Sequence, residues 1–281
     1  MKELTLPRLP CRKRDSHKGD YGKVDIISGS VGYTGAPYLC AAGALKTGAG
    51  LVSVGLPGQV YPLLAAKFLC AMPYPLGTGP CFGPDVLEHA VAHCAGKDAV
   101  VLGPGLGRES ATGEFARRLL VRLACPVVLD ADGLNALCGH IDSLDRRRDR
   151  FTVLTPHMGE FARLLGREAG DREAEAKAFA QSHGCWLVLK GHRTVIAGPD
   201  GETFVNPTGN PGMATGGSGD VLAGMLAALL AQGLETAQAV TAGVYLHGLA
   251  GDLAAQALGE YAMTAADILE YLPQAMQAAV G

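Results

Sequence analysis

Asn206-Pro-Thr-Gly-Asn-Pro-Gly-Met-Ala-Thr-Gly-Gly-Ser-Gly-Asp-Val-Leu-Ala-Gly224 is the stretch around which the chain is organised. Its first part consists of turn formers and small residues. Its end opens an Ala/Leu-rich run, so a loop is expected to feed a helix beginning near Asp220. At such a junction the amides of Gly216, Gly217, Ser218 and Gly219 can point into one anion-binding cup, reinforced by the helix dipole. Asp220 stands at the mouth of that cup. The helix N-terminus is expected to keep its carboxylate ionised and therefore weakly basic. Phosphoryl transfer tolerates a weak base, because its loose transition state needs positioning more than proton removal. A residue that only capped the helix would need no run of small residues before it.

Working outward, short β-branched runs alternate with Ala/Leu-rich helical stretches. Residues 24–28 read as a strand, followed by the loop Gly29-Ser-Val-Gly-Tyr-Thr-Gly35 and a helix over 36–47. Further strands are expected at 51–55, at 99–102 before Gly103-Pro-Gly-Leu-Gly107, and at 127–129 before Asp130-Ala-Asp-Gly-Leu-Asn135. Residues 151–154 lead into Thr155-Pro-His-Met-Gly-Glu160 and a helix. Residues 186–189 lead through Lys190-Gly191 to a hairpin of 194–197 and 203–205 about Gly198-Pro-Asp-Gly201. Alternation of this kind predicts βαβ units in a mostly parallel sheet with helices on both faces, and ligands at the strand ends. The last third is helical, and Thr264-Ala-Ala-Asp267 has the form of a capping box. With no linker and no internal repeat, residues 1–281 read as one α/β domain.

Composition narrows the function. Hydrophobic residues at 48% and charged residues at 18% mark a globular chain, and the formal net charge of -3 offers nucleic acid or an anionic membrane no electrostatic attraction. An anionic substrate must then be held by local devices such as helix N-termini. The 39 glycines follow no three-residue period, which excludes collagen, and they cluster after apolar runs where backbone must approach a ligand. The 8 cysteines are scattered without a Cys-x-x-Cys pair, so neither a disulfide framework nor a zinc site is expected. No signal-peptide core or membrane-spanning run is present, and the reading is a cytoplasmic enzyme.

Thr215-Gly-Gly-Ser-Gly-Asp220, with Asn-Pro-Gly before it, resembles the signature of the ribokinase-like superfamily. Further segments resemble one branch of it, the ADP/ATP-dependent NAD(P)H-hydrate dehydratases. They are Gly35-Ala-Pro-Tyr-Leu39 with Ala49-Gly-Leu-Val52, Gly103-Pro-Gly-Leu-Gly107, Asp130-Ala-Asp-Gly-Leu-Asn135, Thr155-Pro-His-Met-Gly-Glu160 and Lys190-Gly-His-Arg-Thr194. The match runs from about Lys18 to Pro273 in the family's order. Many members also carry an epimerase domain, for which this chain has no room, so any epimerase is expected to be a separate protein.

The resemblance implies an activity. NADH-hydrate or NADPH-hydrate carries a hydroxyl at C6 of the nicotinamide ring, and Asp220 would deprotonate it for attack on the terminal phosphoryl of ADP or ATP. The resemblance implies ADP for single-domain members, Mg²⁺ with the nucleotide, and a homotetramer. It further implies that Lys190, Gly191, His192, Arg193 and Thr194 contact the nucleotide, with Gly219 at its phosphates. Ala36, His157 and Gly105 or Gly107 would approach the substrate. Lys190, directly after Trp-Leu-Val-Leu, also reads as a placed cation. A lone histidine such as His157 is by chemistry alone more often structural. Asp130 and Asp132 either bind Mg²⁺ bridging phosphates or include a helix cap.

Two other readings compete. One is an ATP-dependent kinase of a vitamin precursor of the hydroxyethylthiazole or hydroxymethylpyrimidine type, which shares the Gly-Gly-Ser-Gly-Asp loop. The other is a nucleotide-sensing module without turnover. Weaker signals are set aside. Gly103-x-Gly-x-Gly107 lacks the dinucleotide-fingerprint spacing, and Lys46-Thr47 lacks the glycines of a P-loop. His89 and His93 read as a solvated helix face, and Arg146-Arg147-Arg148 as a basic loop patch.

Overall fold

A computed structural model describes residues 1–280. Ten strands, β1 (Lys2–Glu3), β2 (Lys23–Ile27), β3 (Leu51–Pro57), β4 (Met72–Leu76), β5 (Ala99–Leu102), β6 (Val127–Leu129), β7 (Thr152–Leu154), β8 (Trp186–Leu189), β9 (Val195–Ala197) and β10 (Thr203–Val205), form one sheet. Their order is β1-β10-β9-β8-β7-β6-β5-β2-β3-β4. All neighbours are parallel except the two pairings that β9 makes with β8 and β10.

A parallel strand buried on both faces reads as a continuous apolar run. All four residues of β5 are buried, and Ile26 and Ile27 in β2, each 0% exposed, point into opposite core layers. Helices Gly35–Lys46, Ser218–Ala231, Thr236–Leu258 and Ala265–Ala279 cover one face. Helices Leu87–Cys94, Ser110–Arg122, Met158–Leu165 and Arg172–His183 cover the other. The capping box at Thr264 is formed, with the Thr264 amide donating to Asp267 Oδ2 at 2.7 Å.

The chain winds from β2 to β3 and β4 in one direction and from β5 to β8 in the other. The switch point lies between β2 and β5, whose C-terminal ends carry the loops after Ser28 and after Leu102. Such a crevice is where open α/β sheets bind ligands. Helices Gly35–Lys46 and Ser218–Ala231 meet backbone to backbone beside it. A Cβ on Gly224 would lie 2.0 Å from the Cys40 carbonyl oxygen, and one on Gly43 would lie 2.5 Å from that of Val221. Only glycine permits this approach.

Three features depart from the sequence reading. Strand β4 was not anticipated, because Pro73 and Pro75 remove two ladder donors; an edge strand accommodates them. Arg147 is no surface patch. It is 1% exposed, and its guanidinium donates to the carbonyls of Leu120 (2.9 Å), Cys125 (2.9 Å) and Leu123. Desolvation lowers its pKa to about 10. His93 is half-buried and stacked on Tyr74 at 3.8 Å between ring centroids, whereas His89 is exposed. Among the described residues no helix is long and apolar enough to cross a membrane.

Candidate active site

The site is assembled at the C-terminal ends of β6, β7 and β8. Asp130 follows β6 directly and Lys190 follows β8. The pairing of β7 with β8 extends one step into the loops, with the Lys190 amide donating to the Pro156 carbonyl at 2.8 Å. Lys190 Nζ then reaches across β7 to Asp130 Oδ1 at 2.8 Å, and Asp130 is only 1% exposed. An unpaired charge at such depth would be costly, so each residue holds the other in place. Gly219 lies on top of the pair. A Cβ there would stand 3.0 Å from Lys190 Nζ and 3.5 Å from Asp130 Oδ2, so glycine lets the helix start settle onto the ion pair.

Helix Ser218–Ala231 begins at Gly217, which adopts φ +95° and therefore favours glycine. The amides of Gly216, Gly217, Gly219 and Asp220 have no acceptor among the described residues, whereas the Ser218 amide turns back to the Thr215 carbonyl at 3.4 Å. The expected four-amide cup is thereby corrected: Ser218 is engaged within the loop. Ser218 and Gly219 line the neighbouring cavity, while Gly216 and Gly217 do not. A Cβ on Gly217 would instead meet Leu39 Cδ1 at 2.4 Å, so this glycine is required by packing as well as by φ.

Electrostatics also revise the expectation for Asp220. Burial first, and then the charge of Asp130, push its carboxyl up to about 7, against the opposing pull of Lys190. The helix N-terminus does not hold it fully ionised near neutrality, because lost solvation and a like charge outweigh the dipole. A carboxylate titrating there is a far better base than an ordinary aspartate. Burial works against the charge on Lys190, but Asp130, Glu160 and Asp220 outweigh it and its pKa is raised.

Beside this cluster opens a cavity of about 620 Å³, lined by residues 190–194, the loop from Asn206 to Thr215, Ser218, Gly219 and His247. It thus gathers Lys190, Gly191, His192, Arg193 and Thr194 in one wall, with His157 at the rim. Arg193 adopts φ +53° and its guanidinium is tied to Glu3 Oε2 at 2.7 Å. His247 carried no signal in the sequence. It is buried, its Nε2 lies 2.9 Å from the Ser218 carbonyl oxygen, and desolvation lowers its pKa to about 4. It is therefore neutral and donates to that carbonyl, fixing the helix start. Asp252 is a second such support, accepting from the Gly209 amide at 2.9 Å and from Asn210 Nδ2 at 3.0 Å.

Ala36, Gly105, Gly107 and His157 complete the expected set. A Cβ on Gly105 (φ +65°) would stand 3.2 Å from Ala36 Cβ, so this loop touches the start of helix Gly35–Lys46. Gly107 donates its amide to Asp132 Oδ2 at 2.9 Å. His157 caps helix Met158–Leu165, with Nδ1 accepting from the Gly159 and Glu160 amides at 3.0 and 3.3 Å. That fixes the tautomer, leaving the proton on Nε2, which lies 3.6 Å from Glu160 Oε1. The structural and functional readings of His157 are therefore compatible.

Asp130 and Asp132 can be weighed as metal ligands. Among the described residues no group of three or more His, Cys, Asp or Glu side chains could hold a metal ion. Lys190 occupies one oxygen of Asp130, and Asp132 is engaged by the Gly107 amide and by Asn135 Nδ2 at 3.2 Å. Asp130 Oδ2, facing Gly219, fits a Mg²⁺ that arrives on phosphate oxygens and needs one protein carboxylate.

A doubly wound sheet with an ion pair at its strand ends, capped by a Gly-Gly-Ser-Gly-Asp helix start, defines a ribokinase-like α/β protein. A ribokinase-like superfamily protein from Enterococcus faecalis V583 superposes with a TM-score of 0.84 at 28% identity, covering 99% of this chain and 96% of that one. The chain belongs to the NAD(P)H-hydrate dehydratase family, whose model matches residues 24–274. The ADP/ATP-dependent NAD(P)H-hydrate dehydratase of Bacillus subtilis, co-crystallised with ATP and Mg²⁺, is 30% identical with a TM-score of 0.81, covering 98% of this chain and 99% of that one. The bifunctional NAD(P)H-hydrate repair enzyme Nnr of Moorella thermoacetica is 46% identical over 96% of this chain and 52% of its own length. The ADP-dependent (S)-NAD(P)H-hydrate dehydratase of Neisseria meningitidis serogroup B is 39% identical over 91% of this chain and 85% of its own. The chain spans about half the length of the bifunctional relatives.

Proposed function

We infer that this chain dehydrates the S form of NADH-hydrate and NADPH-hydrate at the expense of a nucleotide, ADP by preference, releasing AMP and phosphate. The observation that carries the reading is Asp220. Its carboxyl, pushed up to about 7, stands at the free amides of a helix start, under the charges of Asp130 and Lys190 and next to Ser218 and Gly219, which line the 620 Å³ cavity. Asp220 takes the proton of the C6 hydroxyl as that oxygen bonds the terminal phosphorus and the bond to AMP breaks. The free amides and Lys190 meet the charge on the transferring phosphoryl group. The ring nitrogen's lone pair then expels phosphate, and loss of a C5 proton restores the C5–C6 double bond. Residues 190–194 hold the nucleotide, Asp130 would hold Mg²⁺, and the bound ion would neutralise phosphate charge.

The same reading takes residues 1–281 as one cytoplasmic domain that assembles as a homotetramer, with an NAD(P)H-hydrate epimerase as its pathway partner. Eight free cysteines accord with a reducing compartment, and light scattering counts the protomers. The decisive test is absorbance at 340 nm with NADH-hydrate, Mg²⁺ and either ADP or ATP, together with phosphate release. A nucleotide-dependent rise supports the dehydratase. A stable phosphorylated product with no rise would mean a kinase.

A further inference from the structure

Arg117 is half-buried and Arg163 exposed, and among the described residues neither has a carboxylate within ion-pair distance. Both line a second cavity, of about 370 Å³, distinct from the nucleotide cavity. Gly107, Arg108, Glu109, Asp132 and Asn135 complete the wall that concerns the chemistry.

Each guanidinium is held by neutral groups only. Arg117 Nη1 donates to the Ala136 carbonyl at 3.0 Å and folds back over Gly113, lying 3.3 Å from where a Cβ there would stand. Arg163 Nε donates to Asn135 Oδ1 at 3.0 Å. Asn135 in turn donates to Asp132 Oδ1 at 3.2 Å, and Asp132 accepts the Gly107 amide. Arg108, whose Nε lies 3.6 Å from Asp132 Oδ1, adds a third guanidinium to the rim. The cavity is thus wired to Gly107 and Asp132, and Arg163 Nη1 lies 3.8 Å from the position of a Cβ on Gly159, whose amide His157 caps.

Guanidinium groups with unspent donors, fixed by backbone and amide partners, set three arginines against the two carboxylates of Glu109 and Asp132 in this wall, a net positive site suited to phosphate oxygens. The nucleotide's phosphates are already provided for by the helix start and Lys190. The other anion the reaction brings is the dinucleotide substrate. We propose that this second cavity grips the diphosphate of NAD(P)H-hydrate through Arg117 and Arg163, directing the nicotinamide end past Gly107 and Asp132 to Asp220. The assignment rests on the dehydratase reading for its ligand, but the cavity and its arginines do not.

The test uses Arg117→Gln and Arg163→Gln, with Arg117→Lys and Arg163→Lys to restore the charge. Arg118→Gln, on the same helix but paired with Glu114 at the surface, is the control. Steady-state dehydration gives KM for NADH-hydrate, NADPH-hydrate and ADP, and fluorescence titration gives Kd for NADH without nucleotide. Each Gln variant is expected to raise KM for both hydrates, and Kd for NADH, by about 10- to 100-fold, the worth of a charge-assisted hydrogen bond. KM for ADP should move less than twofold, the Lys variants should recover most of the loss, and Arg118→Gln should resemble wild type.

Equal constants in the Gln variants and wild type would overturn the proposal. So would a rise confined to NADPH-hydrate, which would place the 2′-phosphate here, or one confined to ADP. The NADH titration keeps the two readings apart. A wild-type chain that bound NADH through these arginines without dehydrating the hydrate would sink the dehydratase and leave the cavity's role intact.

Discussion

Replacing Asp220 by Asn should stabilise the protein and silence it. The folded chain holds this carboxyl at about 7, against an ordinary value of 3.8. At 1.36 kcal/mol per pH unit that rise corresponds to a cost of about 4 kcal/mol for keeping the residue charged. Water reaches the half-buried side chain, and halving the figure for screening leaves about 2 kcal/mol. A raised carboxyl pKa favours the folded state fully below pH 3.8, and the benefit is lost as pH rises toward 7. Above pH 7 wild type therefore bears the whole penalty, which the neutral amide does not. Thermal unfolding followed by circular dichroism should give Asp220→Asn a Tm about 4 °C higher than wild type at pH 8. The gap should close as pH falls to about 4. Turnover in the 340 nm assay should drop by about 100- to 10,000-fold, the usual worth of a general base. A gap of the same size at pH 4 and pH 8, or a wild type more stable at pH 8, would refute the account of Asp220 as an electrostatically strained base.

On the proposed reading Asp220 acts as the base, so the kcat/KM profile should show an acid limb near pH 7, and Asp130→Asn should move that limb to lower pH by removing the like charge; an unmoved limb would assign it to another group. Arg147→Gln should cost about 3 kcal/mol in urea unfolding, because carbonyls of Leu120, Leu123 and Cys125 lose their donor; a loss under 1 kcal/mol would mean that water replaces the guanidinium. Gly217→Ala should cost about 2 kcal/mol through its positive φ and the clash with Leu39, whereas Gly216→Ala, which meets nothing within 4 Å, should leave stability within about 0.5 kcal/mol. Equal effects in the two variants, again read by urea unfolding, would show that the loop relaxes freely.

Local pattern made much of this fold readable. The bounds of β5, β6 and β8 coincide with apolar runs that stop at Gly, Asp or Lys, and the capping box at Thr264 needs only four residues to recognise. What escaped the sequence reading depends on distance or depth. Lys190 and Asp130 are 60 positions apart, and nothing local to either announces the pair. Asp220 looked like an ordinary ionised carboxylate because the dipole beside it is legible in sequence, whereas its desolvation is not. Arg147 sits between two arginines that do face solvent, and only the packing around Leu120 and Cys125 distinguishes it. His247 lies in an Ala/Gly-rich helix with no motif about it. Gly217 stood in the expected loop, but what its missing side chain makes room for, Leu39, was not legible there.

The interlocked glycines at Gly43 and Gly224 bear on how the chain moves. Two helices in backbone contact cannot slide past one another without carbonyl meeting carbonyl, so the helix carrying Asp220 and the one that begins at Gly35 and Ala36 travel as a single rigid body. Ligand entry and product escape therefore depend on loop motions, and amide exchange should be slow along both helices while the loops around Asn210 and His192 exchange fast.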